Sequence, residues 1–311
     1  MAIFLDVIIN VIVPMFVLVL SGVLLHRKFH FNLQTFSQLL IYLLLPIVCF
    51  INIYEADISG STVGLVLFYL ALFNGILILA SALITKGFHF DRKLSSTFQN
   101  SSVLSNSANY GLPVSSLVFV HNPVGLSIQI IVAIAQNILT YTWGFYNSVA
   151  ASSDGKDVLK KIIRLPILHA LVLGFLFRIF DIRLPQFIYV PMENAADAFI
   201  AIALITLGGQ VAYIQIKSFS KVVIFSSLFR LVLSPLVGLA IIFLLQIEGT
   251  VAQALFIASS FPSNRSASLL ALEYNNYPEV ASSVVVLTTL FSCFTVALVI
   301  YLSQLIFPVA I

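Results

Sequence analysis

Ten apolar runs, each about twenty residues long and parted by short polar breaks, leave this chain few ways to fold. They cover residues 3–25, 33–54, 62–85, 95–120, 124–149, 160–179, 187–213, 219–246, 250–275 and 279–307. A helix of that length crosses the hydrocarbon of a bilayer, where every backbone N–H and C=O must be paired inside the protein. Hydrophobic residues make up 60% of the chain and charged residues 9%. An ordinary soluble domain carries about a quarter charged residues. The expected fold is an all-α polytopic membrane protein of ten transmembrane helices, with the lipid bilayer as a partner and no soluble domain. With Asp6 near its start and no basic leader, the first run is expected to be a retained helix, not a cleaved signal.

Orientation follows from counting Lys and Arg on alternate sides of the runs. One side carries Arg27, Lys28, Lys86, Arg92, Lys93, Lys156, Lys160, Lys161, Arg164, Lys217 and Lys221. The other carries only Arg178 and Arg183. The first side is expected in the cytoplasm, beneath the plasma membrane. An even number of spans then leaves both termini extracytoplasmic. No basic patch is interleaved with aromatics, so nucleic acid is not an expected partner. Cys49 and Cys293 stand alone in apolar surroundings and read as core residues, not as a metal or redox motif.

Scarce residue types recur between the two halves. Pro14 and Gly22 in the first run return as Pro166 and Gly174 in the sixth at one offset. Pro123 and Tyr146 in the fifth return as Pro278 and Tyr301 in the tenth, again at one offset. Pro113 in the fourth run has Pro262 in the ninth as its counterpart. Five spans per half is an odd number, so the halves insert with opposite topology. The expected architecture is a 5+5 inverted repeat, 1–149 and 160–311, of the kind many transporters use.

The fourth and ninth runs are broken. From Gln99 to Asn109, eight of eleven residues are Ser, Asn or Gln, and Gly111-Leu112-Pro113 follows. The ninth run holds Ser259-Ser260-Phe261-Pro262-Ser263-Asn264-Arg265-Ser266. A polar, interrupted helix survives at membrane depth only where it is buried in protein or lines a cavity. The plain reading of one break is a proline kink patched by Ser and Asn. Two breaks in corresponding places point instead to a transporter's binding site.

Proline suits the first position of a helix, so Pro113 and Pro262 are each expected to begin a half-helix at mid-membrane. Inversion aims the two N-termini at one another, each with about half a positive charge and unpaired N–H groups. That makes an anion site without a charged side chain. The expected substrate contacts are Asn106, Asn109, Gly111, Pro113, Pro262, Ser263, Asn264 and Arg265.

Arg265 near mid-span costs roughly 2.5–3.5 kcal/mol on the insertion scale, so it calls for a function or a partner. Two readings stand. It contacts a substrate carboxylate bidentately, or it forms an ion pair with Glu193 or Asp197, one turn apart in the seventh run. Arg230 in the eighth is expected to serve pairing or helix packing. Asp197 is the candidate proton carrier for coupling, against a hydrated place in the outer part of its span. Gly208-Gly209 suits close helix packing. His169, the one intramembrane histidine, reads as a bonded packing residue.

Asn106-Ser107-Ala108-Asn109-Tyr110-Gly111-Leu112-Pro113 resembles the Asn-Thr-x-x-x-Gly-Leu-Pro signature of the auxin efflux carrier family. Pro262, Leu272-Glu273-Tyr274-Asn275 and Ala281-Ser282-Ser283 to Thr288-Thr289-Leu290-Phe291-Ser292 resemble that family's C-terminal pattern. The resemblance implies a scaffold domain from spans 1, 2, 6 and 7, and a transport domain from spans 3–5 and 8–10 with two crossed, broken helices. It implies an organic acid anion bound by the residue matching Asn106 and by the crossing prolines, and a homodimer through the scaffold. The short Ala150–Lys161 connection is similar to that of bacterial members, which are associated with dicarboxylates. Ser263-Asn264-Arg265 departs from the small or apolar residues usual there, which points to a more acidic substrate than auxin.

The function expected is secondary transport, with export of small organic anions by alternating access and no cofactor beyond a coupling H+ or Na+. The alternative within transport is a cation-coupled importer resembling the bile acid–sodium symporters, which share a crossed-helix architecture. Asn100, Ser102 and Glu273 would supply some of its oxygens. A channel or a transport-like receptor ranks behind both. An intramembrane enzyme needs a nucleophile with its base, paired aspartates or a two-His metal motif, and the sequence contains none of these.

Overall fold

The computed structural model describes residues 13–55, 59–120, 122–149, 166–212 and 220–308, with Ile9 and Val11. These residues form twelve helices. They are α1 (Val13–Phe29), α2 (Leu33–Glu55), α3 (Gly60–Gly87), α4 (Arg92–Val103), α5 (107–118) and α6 (Pro123–Ser148). The second half gives α7 (Pro166–Ile179), α8 (Gln186–Val211), α9 (Lys221–Leu244), α10 (Gly249–Ser259), α11 (Arg265–Glu273) and α12 (Pro278–Ile306). The all-helical expectation is borne out. Six helices, α2, α3, α6, α8, α9 and α12, are long and apolar enough to cross a membrane by themselves. The fourth and ninth expected spans are each split in two, as α4 with α5 and α10 with α11. The 150–165 connection, with Lys156, Lys160, Lys161 and Arg164, lies outside the described residues, as do Lys217 and His121.

Local sequence explains where the helices start. Ser59, Asp91, Asn122 and Ser220 each accept a hydrogen bond from a first-turn N–H of the helix that follows. Such caps satisfy donors that have no intrahelical partner. Pro123 and Pro278, the matched pair of the sequence, both sit in the first turn of a long helix.

In lipid, helices gain little by hiding apolar surface from one another, so close van der Waals packing must hold them. The tightest contact joins α1 to α8. A Cβ added to Gly22 would lie 2.1 Å from the Ile205 carbonyl oxygen, and one on Gly208 would lie 1.9 Å from that of Val19. Each glycine admits the other helix's backbone. The second such pair joins α7 to α2, where a Cβ on Gly174 would lie 3.1 Å from the Phe50 carbonyl oxygen. Gly22 and Gly174, matched between the halves, thus occupy corresponding contacts. The α2–α7–α8 side has its own apolar core around Cys49, Ile53, Leu112 and Ala203. Met15, Leu77, Phe98, Ile128 and Ile257 belong to a larger core shared by α1, α3, α4, α6 and α10.

Among the described residues, besides π assignments at Ile9 and Val11, wide π turns lie at 40–44 in α2, 107–111 at the start of α5, 140–144 in α6 and 229–233 in α9. Such turns are rare and concentrate at functional sites. The turns in α2, α5, α6 and α9 each place a residue in the region described next: Ile41, Asn109, Tyr141 and Arg230.

Candidate functional site

The two breaks satisfy each other. α4 ends at Val103, with Leu104 extended after it, and α10 ends at Ser259, with Ser260 still in the helical region. Ser105 then pairs with Ser263 in an antiparallel bridge. The Asn106 N–H donates to Pro262 O at 2.8 Å and the Asn264 N–H to Leu104 O at 2.9 Å. Side chains take up more of the freed backbone. Thr288 Oγ1 accepts from the Ser263 N–H at 3.1 Å, and Asn264 Nδ2 donates to Ser105 O at 3.2 Å. Backbone groups that would be ruinous unpaired in hydrocarbon therefore stay bonded.

The C-terminal ends of α4 and α10 leave carbonyls over, and one side chain collects them. Arg230, fully buried in the π turn of α9, donates from Nε to Phe261 O (2.9 Å), from Nη1 to Val103 O (3.1 Å) and Ser102 O (3.4 Å), and from Nη2 to Ser259 O (2.8 Å). Its charge lies where two helix dipoles present their negative ends. Where the sequence leads to an expectation of pairing or helix packing for Arg230, its partners here are backbone carbonyls and not an acid.

The N-terminal ends of α5 and α11 open on one cavity of about 90 Å³. Asn106, Ala108 and Asn109 reach it from α5, and Asn264 and Ser266 from α11. Asn137 and Tyr141 come from α6, Ile41 and Leu45 from α2, and Pro166 from α7. The cavity thus lies between the break-bearing helices and the α2–α7 pair. Ile41, Asn109 and Tyr141 each belong to a π turn. Among the described residues, no charged side chain lines it. The N–H groups of Ser107, Ala108 and Asn109 have no intrahelical acceptor, and no side chain caps that helix start. Among the described residues, the side chains of Asn106, Asn109, Asn137 and Tyr141 make no hydrogen bond within the protein. Unengaged amides around two helix N-termini are fitted to hold an anionic, oxygen-rich ligand.

The sequence-based site is redistributed. Asn106, Asn109 and Asn264 line the cavity, but the Asn264 amide is already employed, accepting from the Ser266 N–H at 2.9 Å while donating to Ser105. Pro113 does not begin a half-helix. α5 starts six residues earlier, at Ser107, and Pro113 lies within it. Likewise α11 starts at Arg265, and Pro262 sits in the extended crossing, where its missing N–H costs nothing. The corresponding positions are Ser105-Asn106 and Ser263-Asn264, not the prolines. Gly111 is buried, and a Cβ there would lie 2.4 Å from the Phe261 ring. Ser263 has a buried hydroxyl without a hydrogen-bond partner, away from the cavity.

Arg265 is half-buried and pairs with neither Glu193 nor Asp197, so the ion-pair expectation is corrected. Those acids lie on an exposed side of α8, which packs on α1 and α2 and not on α11. The oxygens that would serve a sodium ion are dispersed and engaged. Asn100 Oδ1 accepts from Asn147, Ser102 Oγ bonds Ser226 Oγ at 2.9 Å, and Glu273 is exposed. Asn137 and Tyr141 went unnoticed in the sequence, because nothing in the sixth helix's apolar pattern signals a π turn.

Two archaeal proteins align along most of their length. An uncharacterized transporter of Methanocaldococcus jannaschii, MJ1031, is 26% identical over 273 residues, which cover 84% of this chain and 87% of the relative. An uncharacterized transporter of Methanothermobacter thermautotrophicus is 24% identical over 264 residues, 83% of this chain and 85% of the relative. The model of the membrane transport protein family matches residues 7–300, which bears out the auxin efflux carrier resemblance. The chain belongs to that family, as a multi-pass membrane transporter and not an enzyme.

Proposed function

We propose that the chain is a secondary carrier exporting small organic acid anions, bound in the cavity where the two breaks meet. The observation that carries this reading is the convergence of the α5 and α11 N-termini on unengaged amides. Each N-terminus contributes about half a positive charge. An anion held by N–H groups and amides is bound without being neutralised by a fixed cation, which suits a carrier that must also release it. The place of the cavity between two packed groups of helices suits alternating access, with α3–α6 and α9–α12 moving against α1, α2, α7 and α8. A 5+5 inverted repeat is supported by the contacts already described. Exchanging the first run with the sixth and the second with the seventh turns the α1–α8 contact into the α7–α2 contact. Direction and coupling to H+ or Na+ form part of the proposal.

Counterflow in proteoliposomes tests it. Vesicles loaded with an unlabelled mono- or dicarboxylate should accumulate the labelled one, and Asn106→Ala should cut the signal about tenfold at low substrate while inserting normally. Wild-type counterflow by Asn106→Ala and Asn109→Ala would remove the cavity from the transport path. Repeating the assay with and without proton and sodium gradients reads the coupling.

A further inference from the structure

A second cavity, of about 600 Å³, opens at the opposite end of α4 from the break, between the end of α3, the start of α4 and the end of α6. Among the described residues, Lys86, His89 and Arg92 line it with Ser95, Gln99 and Asn147, and no carboxylate does. Its one acidic neighbour in sequence is turned away. Asp91 accepts from the N–H groups of Lys93 and Leu94 and from the Tyr277 hydroxyl, so its charge is committed elsewhere. The side chains of Lys86 and His89 have no hydrogen bond or ion pair among the described residues.

The walls are fixed before any ligand arrives. Gln99 Nε2 donates to Thr85 Oγ1 at 3.2 Å, tying α4 to α3, and Asn147 Nδ2 donates to Asn100 Oδ1 at 2.9 Å, tying α6 to α4. His89 holds its place in a left-handed turn (φ +51°) closed by the Phe90 N–H to Thr85 O bond at 3.0 Å. The buried Asn100, bonded to Gly144 O and Ser148 Oγ, stands between this cavity and the central one, and the two share no lining residue. The rim lies at the Lys86 end of the apolar helix α3, the kind of place where a span meets the headgroup layer.

We propose that this pocket is an anion site separate from the transport cavity, built for a phosphate group. An ammonium, a guanidinium, an imidazole and flanking hydroxyl and amide donors suit the several oxygens of a phosphate better than a single carboxylate. The phosphate comes either from an anionic phospholipid headgroup or from a free phosphate compound in solution.

The purified full-length chain distinguishes the two. Native mass spectrometry reads retention of phosphatidylglycerol, and thermal melting in inorganic phosphate against chloride at equal ionic strength reads the free ion. Lys86→Gln with Arg92→Gln should lower phosphate affinity about tenfold or more, the equivalent of one lost charge-assisted contact. Lys86→Arg with Arg92→Lys should keep it. Lipid retention that falls only in the glutamine variant assigns the site to a headgroup. A phosphate-dependent melting shift that falls only there assigns it to a soluble ligand. If neither lipid retention nor the phosphate shift differs between wild type and the glutamine variant, the proposal is wrong.

Discussion

Arg230 donates from Nη2 to the carbonyl oxygen of Ser259 at 2.8 Å, across 29 residues of sequence. With the bonds to Ser102, Val103 and Phe261, that places one guanidinium on the ends of both broken helices. Hydrogen bonds to a charged group contribute about 1.5–3 kcal/mol each, and stranded buried carbonyls cost more. Arg230→Ala should therefore destabilise the protein by about 3 kcal/mol or more, read as a fall in melting temperature in detergent. Arg230→Lys should fall between, because an ammonium cannot reproduce the planar fork. Wild-type melting in Arg230→Ala would mean that the crossing holds itself together.

The two asparagines at the crossing should behave differently. Asn106 has a side chain with no partner in the fold, whereas Asn264 bonds both the Ser105 carbonyl and the Ser266 N–H. Asn106→Ala should leave melting unchanged and weaken substrate binding about tenfold, the value of one neutral hydrogen bond. Asn264→Ala should lower stability by about 1 kcal/mol or more through loss of the helix cap. Substrate-dependent melting of both variants reads the two effects together.

How far the sequence reached is clear at these same residues. Ser, Asn and Pro in apolar runs located both breaks, because hydrocarbon tolerates such residues only for a reason. The same reasoning misplaced the helix starts. The missing N–H of Pro113 suits a first helical position, but α5 starts sooner because Pro262 offers the Asn106 N–H a carbonyl partner across the crossing. That partner is remote in sequence and invisible to local rules. Arg230 was legible as an anomaly, yet not as a cap, since backbone carbonyls leave no trace in residue identity. Asn137 and Tyr141 reach the cavity through packing and a π turn that no spacing announces. Gly22 and Gly174 were legible throughout, because a scarce residue repeated at one offset records a steric need.

Asp91, on the exposed loop before α4, gives a pH-dependent test. The Leu94 N–H, then the Tyr277 hydroxyl, hold its carboxyl below the ordinary carboxylate range. A depressed folded-state value means the carboxylate's stabilisation is present above the unfolded value of about 3.9 and is lost as pH falls through the folded one. Asp91→Asn keeps an oxygen to cap α4 but does not titrate. Wild type and Asp91→Asn should show a constant difference in melting temperature from neutral pH down to about 5, and converge in stronger acid. The difference should be small, since the group is exposed.

Close packing of α1 on α8 rests on two glycines that face backbone, which cannot move aside as a side chain can. Gly22→Ala or Gly208→Ala would set a methyl group about 2 Å from a carbonyl oxygen of the other helix, so the helices must separate. Overpacking of this kind costs about 1–3 kcal/mol. Gly75, also within a long apolar helix, has open space where its Cβ would stand. Gly75→Ala should therefore be neutral or raise stability by up to about 1 kcal/mol through helix propensity. Melting of the three variants side by side separates a steric contact from a general intolerance of substitution. Equal losses in all three would show that the α1–α8 approach is not the source of the effect.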